Sequence, residues 1–381
     1  MELLGKSKEE LREFCAALGE PAYRGGQIYH ALYAERKFDF AGMTNLPAAL
    51  RERLAKEARI TPPEVKQRFT SADGSVRYLF ALSNPEPQRE KELTIESTEK
   101  SLTPRPASVE AVFMPSEGRQ TICVSTQAGC AVDCQFCLTA QLGLIRNLSA
   151  GEIVGQVLVA LEEDKAELPP RFASAQGKQT NVVLMGQGEP LLNFDAVMGA
   201  LRILLDSEGV GLSPKHVTLS TSGIVPGIER LAQEKVRPKL AISLNASNDE
   251  QRDAVMPINR KYPLSVLLEA CKKYPLRPWE HLTFEYVLLG GMNDAPEDAR
   301  RVVKLLAPLK SVKVNLIPWN PGALPYREPT AERIEEFRRI LNDKGVAAFV
   351  RYSRGRDVMA ACGQLALLQI DGSASSAVSP H

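Results

Sequence analysis

The sequence predicts an α/β fold built on a parallel sheet and preceded by a small helical unit. From residue 108 onward, short β-rich segments alternate with helical segments of roughly 10–15 residues, which is the pattern of repeated βαβ units. In residues 1–68, amphipathic helical segments follow one another without a predicted strand. The chain has 381 residues, 44% of them hydrophobic and 24% charged, which suits one large α/β domain and a smaller one.

Residues 1–68 are predicted to form the helical unit. Ser7 and Glu10 form a capping box in front of the first apolar helix face. Two further helices are predicted over residues 23–33 and 47–58. Basic residues interleave with glutamates in this unit, so its charge pattern is compatible both with a solvated helix face and with RNA contact.

Residues 69–107 are predicted to form a short β-rich connector. A strand is expected over residues 75–82. From Asn84 to Ala107, prolines and charged residues replace any hydrophobic periodicity, which indicates a linker or a surface insertion.

Residues 108–370 carry the repeating strands and helices. Strands are predicted over 121–125, 181–185, 216–219, 240–244, 283–289, 313–317 and 346–351. Helices are predicted over 149–163, 195–205, 263–273, 296–309 and 330–342. Because the loops of parallel α/β sheets carry function at the carboxyl ends of the strands, we expect the site there. Residues 371–381 are predicted to be a disordered tail.

Composition narrows the protein class. Forty-seven basic and 46 acidic residues give a net charge of +1, which is no global signature of nucleic-acid binding. The sequence has no apolar run of about 18 residues and no signal-peptide pattern at its start, so we expect a cytoplasmic protein without a membrane partner. The seven cysteines are an odd number, which excludes a fully paired disulfide framework. In the cytoplasm, clustered cysteines indicate metal binding or catalysis.

Three of these cysteines lie within eight positions, at Cys130, Cys134 and Cys137. They follow a predicted strand, and thiolates on such a short loop favour a four-iron cluster in which one iron lacks a cysteine ligand. That open iron is able to hold a small chelating ligand through amino and carboxylate groups. A zinc site is the alternative, but it usually takes a second pair of cysteines or nearby histidines, and the chain's four histidines are scattered.

The cysteine motif and its surroundings resemble the RlmN/Cfr family of radical S-adenosylmethionine (SAM) RNA methyltransferases. The resemblance covers nearly all of residues 1–370, with motifs at 123–130, 139–147, 185–190, 219–223, 318–320 and 360–365 in the family's order. It implies a partial (β/α)6 radical SAM barrel in which Cys130, Cys134 and Cys137 bind a [4Fe–4S] cluster.

The resemblance also implies how SAM is bound. Gly188 and Glu189 would meet the methionine amine, and the ribose, carboxylate and adenine contacts would come from residues at other strand ends. These residues are Ser220, Ser243, Leu244, Asn245 and Asn320. Family members often carry histidine where this chain has Asn245.

The implied activity is methylation of adenosine carbon 2 in the peptidyl-transferase centre of 23S rRNA and at the position 3′ of the anticodon in tRNAs. Two SAM molecules would be used per turnover. Cys362 takes a methyl group from the first, and the second yields a 5′-deoxyadenosyl radical that activates the S-methyl group. Cys123 then resolves the adduct through a transient disulfide with Cys362, and Glu110 is the implied proton acceptor.

The remaining expectations concern partners and alternatives. An external electron donor such as a flavodoxin-type reductant is implied, and the protein is expected to be a monomer. Cys15 and Cys271 are interpreted as packing residues. Two alternatives stay open, namely Cfr-like methylation of carbon 8 of the same rRNA adenosine and a non-catalytic, metal-bearing RNA-binding module.

Overall fold

The central element of the fold is a ten-stranded sheet in the order β1-β2-β3-β4-β7-β8-β9-β10-β11-β12. The computed structural model describes residues 1–82, 108–167 and 179–365. Its strands are β1 (Glu64–Thr70), β2 (Val76–Ala81), β3 (Ser108–Ser116), β4 (Arg119–Cys123), β5 (Gln127–Gly129), β6 (Leu144–Asn147), β7 (Gln179–Leu184), β8 (Val217–Thr221), β9 (Lys239–Ser243), β10 (Leu282–Leu288), β11 (Val312–Pro318) and β12 (Ala347–Val350).

Strand direction divides this sheet into two parts. β1, β2, β3 and β4 pair antiparallel, whereas β4 and all later strands of the sheet pair parallel to one another. The helices are α1 (Lys8–Ala17), α2 (Tyr23–Tyr33), α3 (Ala48–Glu57), α4 (Leu138–Gln141), α5 (Ala150–Glu167), α6 (Phe194–Leu205), α7 (Val225–Ala232), α8 (Asp249–Val255), α9 (Leu264–Lys273), α10 (Pro296–Leu306) and α11 (Ala331–Asp343). Each parallel strand before β12 is followed by at least one helix, and this arrangement confirms the predicted α/β class with its partial (β/α)6 barrel.

The predicted helices and strands are all found, with ends that shift by a few residues. The predicted capping box forms at the start of α1, and a second one forms at the start of α5. Ser7 Oγ accepts from the Glu10 backbone amide at 3.2 Å, and Ser149 Oγ accepts in the same way from Glu152 at 3.1 Å. Four strands were not predicted: β1, β3 and the small β5–β6 hairpin that frames the cysteine loop. The prediction of a linker over 84–107 and that of a disordered tail over 371–381 lie outside the described residues.

Side-chain alternation gives the parallel strands two different faces. One face packs on the helices and is fully buried, as at Leu219, Ile242 and Phe284. The opposite face carries polar residues: Ser243 pairs with Glu285 and Glu285 pairs with Asn315 across three neighbouring strands. We call it the inner face. In the part of the chain that the structure describes, no helix is long and apolar enough to cross a membrane.

Candidate active site

The three-cysteine loop lies at the carboxyl end of β4, inside the β5–β6 hairpin. The Cys130 backbone amide donates to Gly143 O at 3.0 Å, and the Cys137 amide donates to Cys134 O at 3.1 Å. Gly129 makes this turn possible, because a Cβ there would lie 1.8 Å from Gly143 O and its φ is +74°. All three cysteines are partly accessible, and each interacts electrostatically with another of the set.

The chemistry of these donors fits an iron–sulfur cluster. Burial raises the pKa of Cys130 to about 12 and that of Cys134 well above its usual value, and repulsion from the neighbouring thiols adds to both shifts. Such thiols ionise only beside strong positive charge, which metal ions supply. Cys134 and Cys137 pack against an apolar cluster that includes Phe136 and Trp319. Among the described residues, no three histidine, cysteine or carboxylate side chains are already drawn together closely enough to hold an ion.

The turn after β7 holds Gly188 and Glu189 against β5. Glu189 is buried, and its carboxylate accepts from the Ser222 amide and hydroxyl at 2.7 Å and from the Leu191 amide at 3.1 Å. Burial raises the pKa of Glu189, and these hydrogen bonds oppose the shift. Gly188 has a φ of +96°, and a Cβ there would lie 2.5 Å from Gln127 Cβ. The turn therefore fixes a carboxyl group beside the cysteine loop.

The other predicted SAM contacts divide into two groups. Ser220 and Ser243 are half-buried and lie on the inner face at the ends of β8 and β9. Leu244 and Asn245 are buried instead, and the Asn245 side chain serves the fold. Its Oδ1 accepts from the Val287 amide at 2.8 Å, and its Nδ2 donates to Met256 Sδ at 3.2 Å. The backbone oxygens of Leu244 and Asn245 also accept hydrogen bonds from the protein, from Arg252 Nε at 3.1 Å and from Asn293 Nδ2 at 2.8 Å.

Arg252 ties these strand ends together, and no spacing in the sequence marks it. Its buried guanidinium donates to the backbone oxygens of Ser222 at 2.7 Å, Ser243 at 3.0 Å and Leu244 at 3.1 Å. Burial lowers the pKa of Arg252 to about 10, and the nearby thiol of Cys134 opposes this. Arg252 stabilises the carboxyl ends of β8 and β9 and supplies positive charge to the cysteine loop.

The loop that carries Cys362 docks on the cysteine loop. The Leu138 amide donates to Gly363 O at 2.8 Å, and Gln364 Nε2 donates to Pro321 O at 2.8 Å. Asn320, predicted to contact SAM, donates from Nδ2 to Ser353 Oγ at 2.9 Å and to Cys362 O at 3.2 Å. Phe136 and Leu138 from one loop and Cys362 and Gly363 from the other line a small open cleft.

Cys123, Cys362 and Glu110 converge from three different segments. Cys123 ends β4, is buried beside Ala360 and Leu365, and has its pKa raised by burial and further by the Cys362 thiol. The surrounding protein likewise raises the pKa of Cys362, Glu285 adds to this, and a hydrogen bond from Ser353 opposes it. Val112 pairs with Cys123, which places Glu110 on the same sheet face as Cys123.

The two cysteines interpreted as packing residues behave as such. Cys15 and Cys271 are both buried within the main hydrophobic core. Three further residues of the site were not predicted from the sequence: Arg252, Glu285 and Ser353. Each is a common polar residue outside a spacing motif, and only the tertiary fold brings it to the site.

Comparison with known proteins agrees with this geometry. Residues 124–306 match the model of the radical SAM superfamily, and residues 1–60 match that of the ribosomal RNA large subunit methyltransferase N-terminal domain. A probable dual-specificity RNA methyltransferase RlmN from Koribacter versatilis is 47% identical over 91% of this chain and 96% of its own length. The RlmN of Anaeromyxobacter dehalogenans is 44% identical over 94% of this chain and 90% of its own.

A solved structure shares the whole architecture. The radical SAM methyltransferase from Sphaerobacter thermophilus has a TM-score of 0.83 and 41% identity, covering 96% of this chain and 99% of that one. Family membership implies a [4Fe–4S] cluster and SAM as cofactors, and the three-cysteine loop has the donor chemistry that such a cluster requires. The chain belongs to the RlmN family of SAM-dependent radical RNA methyltransferases.

Proposed function

We propose that this chain methylates carbon 2 of a specific adenosine in 23S rRNA, at the peptidyl-transferase centre, and of the adenosine 3′ of the anticodon in tRNAs. Its relatives are named dual-specificity RNA methyltransferases, and its first 60 residues match a ribosomal RNA methyltransferase N-terminal domain. The observation that carries the proposal is the placement of Cys123 and Cys362 next to each other, beside the three-cysteine loop.

Carbon 2 of adenine is an electron-poor amidine carbon that does not attack SAM as a nucleophile, so the transfer is divided into two steps. The Cys362 thiolate first attacks the methyl carbon of one SAM, forming a carbon–sulfur bond while S-adenosylhomocysteine leaves. After the 5′-deoxyadenosyl radical takes one hydrogen from this S-methyl group, the resulting methylene radical would bond to carbon 2, Glu110 would take the proton that leaves carbon 2, and one electron would return to the cluster. The Cys123 thiolate would then attack the Cys362 sulfur, so that a disulfide forms, the bond from sulfur to the methylene breaks and a solvent proton completes the new methyl group. Formation of the disulfide removes two electrons from the two cysteines, and an external reductant returns these electrons.

The cofactors would be held by residues at the strand ends. Cys130, Cys134 and Cys137 would hold the cluster, which supplies the electron that cleaves a second SAM to a 5′-deoxyadenosyl radical. Gly188 and Glu189 would meet the methionine amine, since the turn presents a buried carboxyl group. Ser220 and Ser243 would contact SAM from the inner face. Asn320, whose amide binds the Cys362 loop, would add an adenine contact from its remaining polar atoms, and Leu244 and Asn245 would contribute backbone groups.

The proposal extends to domains and partners. Residues 1–68 would assist RNA binding, and residues 69–107 would connect this domain to the catalytic core. Residues 108–370 would form that core, and residues 371–381 would form a tail. We propose a cytoplasmic monomer that uses two SAM per turnover and a flavodoxin-type electron donor. Basic side chains on α3, such as Arg51 and Lys56, support an RNA-facing role for the helical unit.

The test is mass spectrometry of RNA from a bacterial host that lacks 2-methyladenosine. Expression of the wild-type chain is expected to restore 2-methyladenosine in 23S rRNA and tRNA. Cys362→Ala is expected to restore none, with its cluster intact, and Cys123→Ala to trap a protein–RNA crosslink. Appearance of 8-methyladenosine would instead assign the Cfr-like activity, and normal methylation by either cysteine variant would overturn the shuttle.

A further inference from the structure

Arg77 and Glu110 form an ion pair that is shut off from solvent. The Arg77 side chain is 0% exposed and the Glu110 side chain 1%, and the guanidinium Nη1 contacts Glu110 Oε1. The guanidinium also lies over the Phe69 ring, with 4.2 Å to its centroid. Two neighbouring strands and one aromatic ring therefore fix the position of this cation.

Sheet register shows that the pair belongs to the catalytic face. Arg77 pairs with Val112, and Val112 pairs with Cys123, so the three side chains lie side by side on one face. Glu110 is two residues before Val112 in β3 and lies on that face too. The carboxylate is consequently a diagonal neighbour of Cys123, on the side of the carboxyl end of β4.

The turn after β7 contacts Glu110 as well. The Gln187 side chain accepts from the Glu110 backbone amide at 3.1 Å and donates to Glu110 Oε2 at 3.4 Å, and Ser125 Oγ donates to Glu110 O at 2.6 Å. The described groups at the carboxyl thus include the Arg77 guanidinium from β2 and the Gln187 amide, with the Phe69 ring of β1 against the guanidinium. Cys123 of β4 lies on the same sheet face. Arg77 is a cation in direct contact with this carboxyl.

We propose that Arg77 is a positioning residue that keeps the Glu110 carboxyl ionised and aimed beside Cys123, so that Glu110 accepts the proton leaving the methylated carbon. The inference rests on the proposed function. A carboxyl at this depth without a cation binds a proton at neutral pH, because desolvation disfavours the charged form. A protonated Glu110 is no longer able to act as the base. Arg77 removes this obstacle without contacting the RNA itself.

The first test compares RNA methylation by Arg77→Gln, Arg77→Lys and the wild type across pH 6 to 9. For Arg77→Gln we expect at least a ~10-fold loss at pH 7 that shrinks by about tenfold per pH unit as the carboxyl ionises. Arg77→Lys keeps the charge and is expected to keep the wild-type profile. Arg119→Gln, an exposed arginine of the same sheet, is the matched control. A uniform loss at all pH values, or no loss, would overturn the inference.

A second measurement does not depend on a variant at Arg77 folding or on turnover. The infrared difference between wild type and Glu110→Gln at pH 7 is expected to contain carboxylate bands and no protonated-carboxyl band. A protonated band in that spectrum would overturn the inference.

S-methylation of Cys362 by SAM, followed by protein mass spectrometry, uses no base at Glu110 and is expected to be unchanged in Arg77→Gln. If wild type forms no methylated adenosine, the proposed function fails, while the spectrum still reports on the ion pair.

Discussion

The reactivity of Cys362 depends on two polar neighbours that act in opposite directions. Desolvation by the surrounding protein is the largest effect and raises the pKa of this thiol. The Glu285 carboxylate raises this pKa further, whereas the Ser353 hydroxyl stabilises the thiolate and lowers it. Asn320 holds Ser353 in place at 2.9 Å. Glu285 is itself buried, which raises its pKa to about 7, against a hydrogen bond from Asn315 at 2.9 Å. The charge of Glu285 thus changes within the physiological pH range.

We therefore predict opposite shifts in Cys362 alkylation rates at pH 8. Ser353→Ala removes a donor to the thiolate, raises the pKa of Cys362 and slows alkylation roughly tenfold. Glu285→Gln removes a negative charge and speeds alkylation, but only above about pH 7, because Glu285 is protonated in the wild type below that pH. Peptide mass spectrometry of iodoacetamide-treated protein measures both. Ser353→Thr keeps the hydroxyl and is the control, and an unchanged rate in Ser353→Ala would refute the hydrogen bond's role.

The sequence predicted the roles of some residues and not those of others. The five cysteines that we propose act in the reaction were predicted because their spacing and neighbours form motifs. Asn245 was expected to contact SAM, but its φ of +55° turns the side chain toward Val287 and Met256. Asparagine is enriched in this left-handed conformation, which a β-branched residue would adopt only with strain. Backbone conformation of this kind leaves no periodic signal in a sequence.

At the scale of elements, the turn after β7 depends on a glycine for two separate reasons. Gly188 has a φ of +96°, and Gln127 of β5 blocks the space that a Cβ would need. We predict that Gly188→Ala lowers the free energy of unfolding by about 1–3 kcal/mol more than Gly118→Ala. Gly118 is the matched control, since its φ is also positive at +65° and nothing lies within 4 Å of its added Cβ. Urea unfolding of both variants gives the difference, and equal losses would show that the contact with Gln127 is unimportant.

The strands that were predicted and those that were missed differ in their surroundings. The parallel strands were predicted because each is an apolar run between turn signals, buried on the helix side. The β5–β6 hairpin was missed because β5 has three residues and its loop is a cysteine motif with few apolar positions. β3 follows residues without periodicity and carries Glu110 in its buried stretch, which the fold tolerates because Arg77 lies beside it. Its ion-pair partner is 33 residues away and was not predictable from local sequence.

At the scale of the whole molecule, a net charge of +1 gives almost no overall attraction for the RNA phosphates. RNA binding therefore depends on local groups of cations. Eight basic residues of the catalytic core are candidates for such contacts: Lys215, Arg260, Lys261, Lys272, Lys273, Arg351, Arg354 and Arg356. Three of them have carboxylate partners: Lys273 with Glu269, Arg354 with Asp73 and Arg356 with Glu328. Arg351 forms no ion pair with a carboxylate among the described residues, and its Nε donates to Asn315 Oδ1 at 3.3 Å.

This difference between Arg351 and Arg356 predicts their separate effects on RNA binding. A cation that forms no salt bridge releases a counterion from RNA when it meets a phosphate, whereas a cation in a salt bridge must first give up its carboxylate partner. Arg351→Gln is expected to weaken RNA binding and to lower the slope of log affinity against log salt concentration by about 1.

Arg356→Gln is the matched control, because Arg356 is likewise exposed and lies in the same loop, and it is expected to leave the slope unchanged. Filter binding of the substrate RNA at several salt concentrations decides between them. Because Arg351 follows β12 at the start of the segment that leads to Cys362, a lower slope for Arg351→Gln alone would place the RNA backbone at this edge of the sheet, and equal slopes for both variants would place it elsewhere.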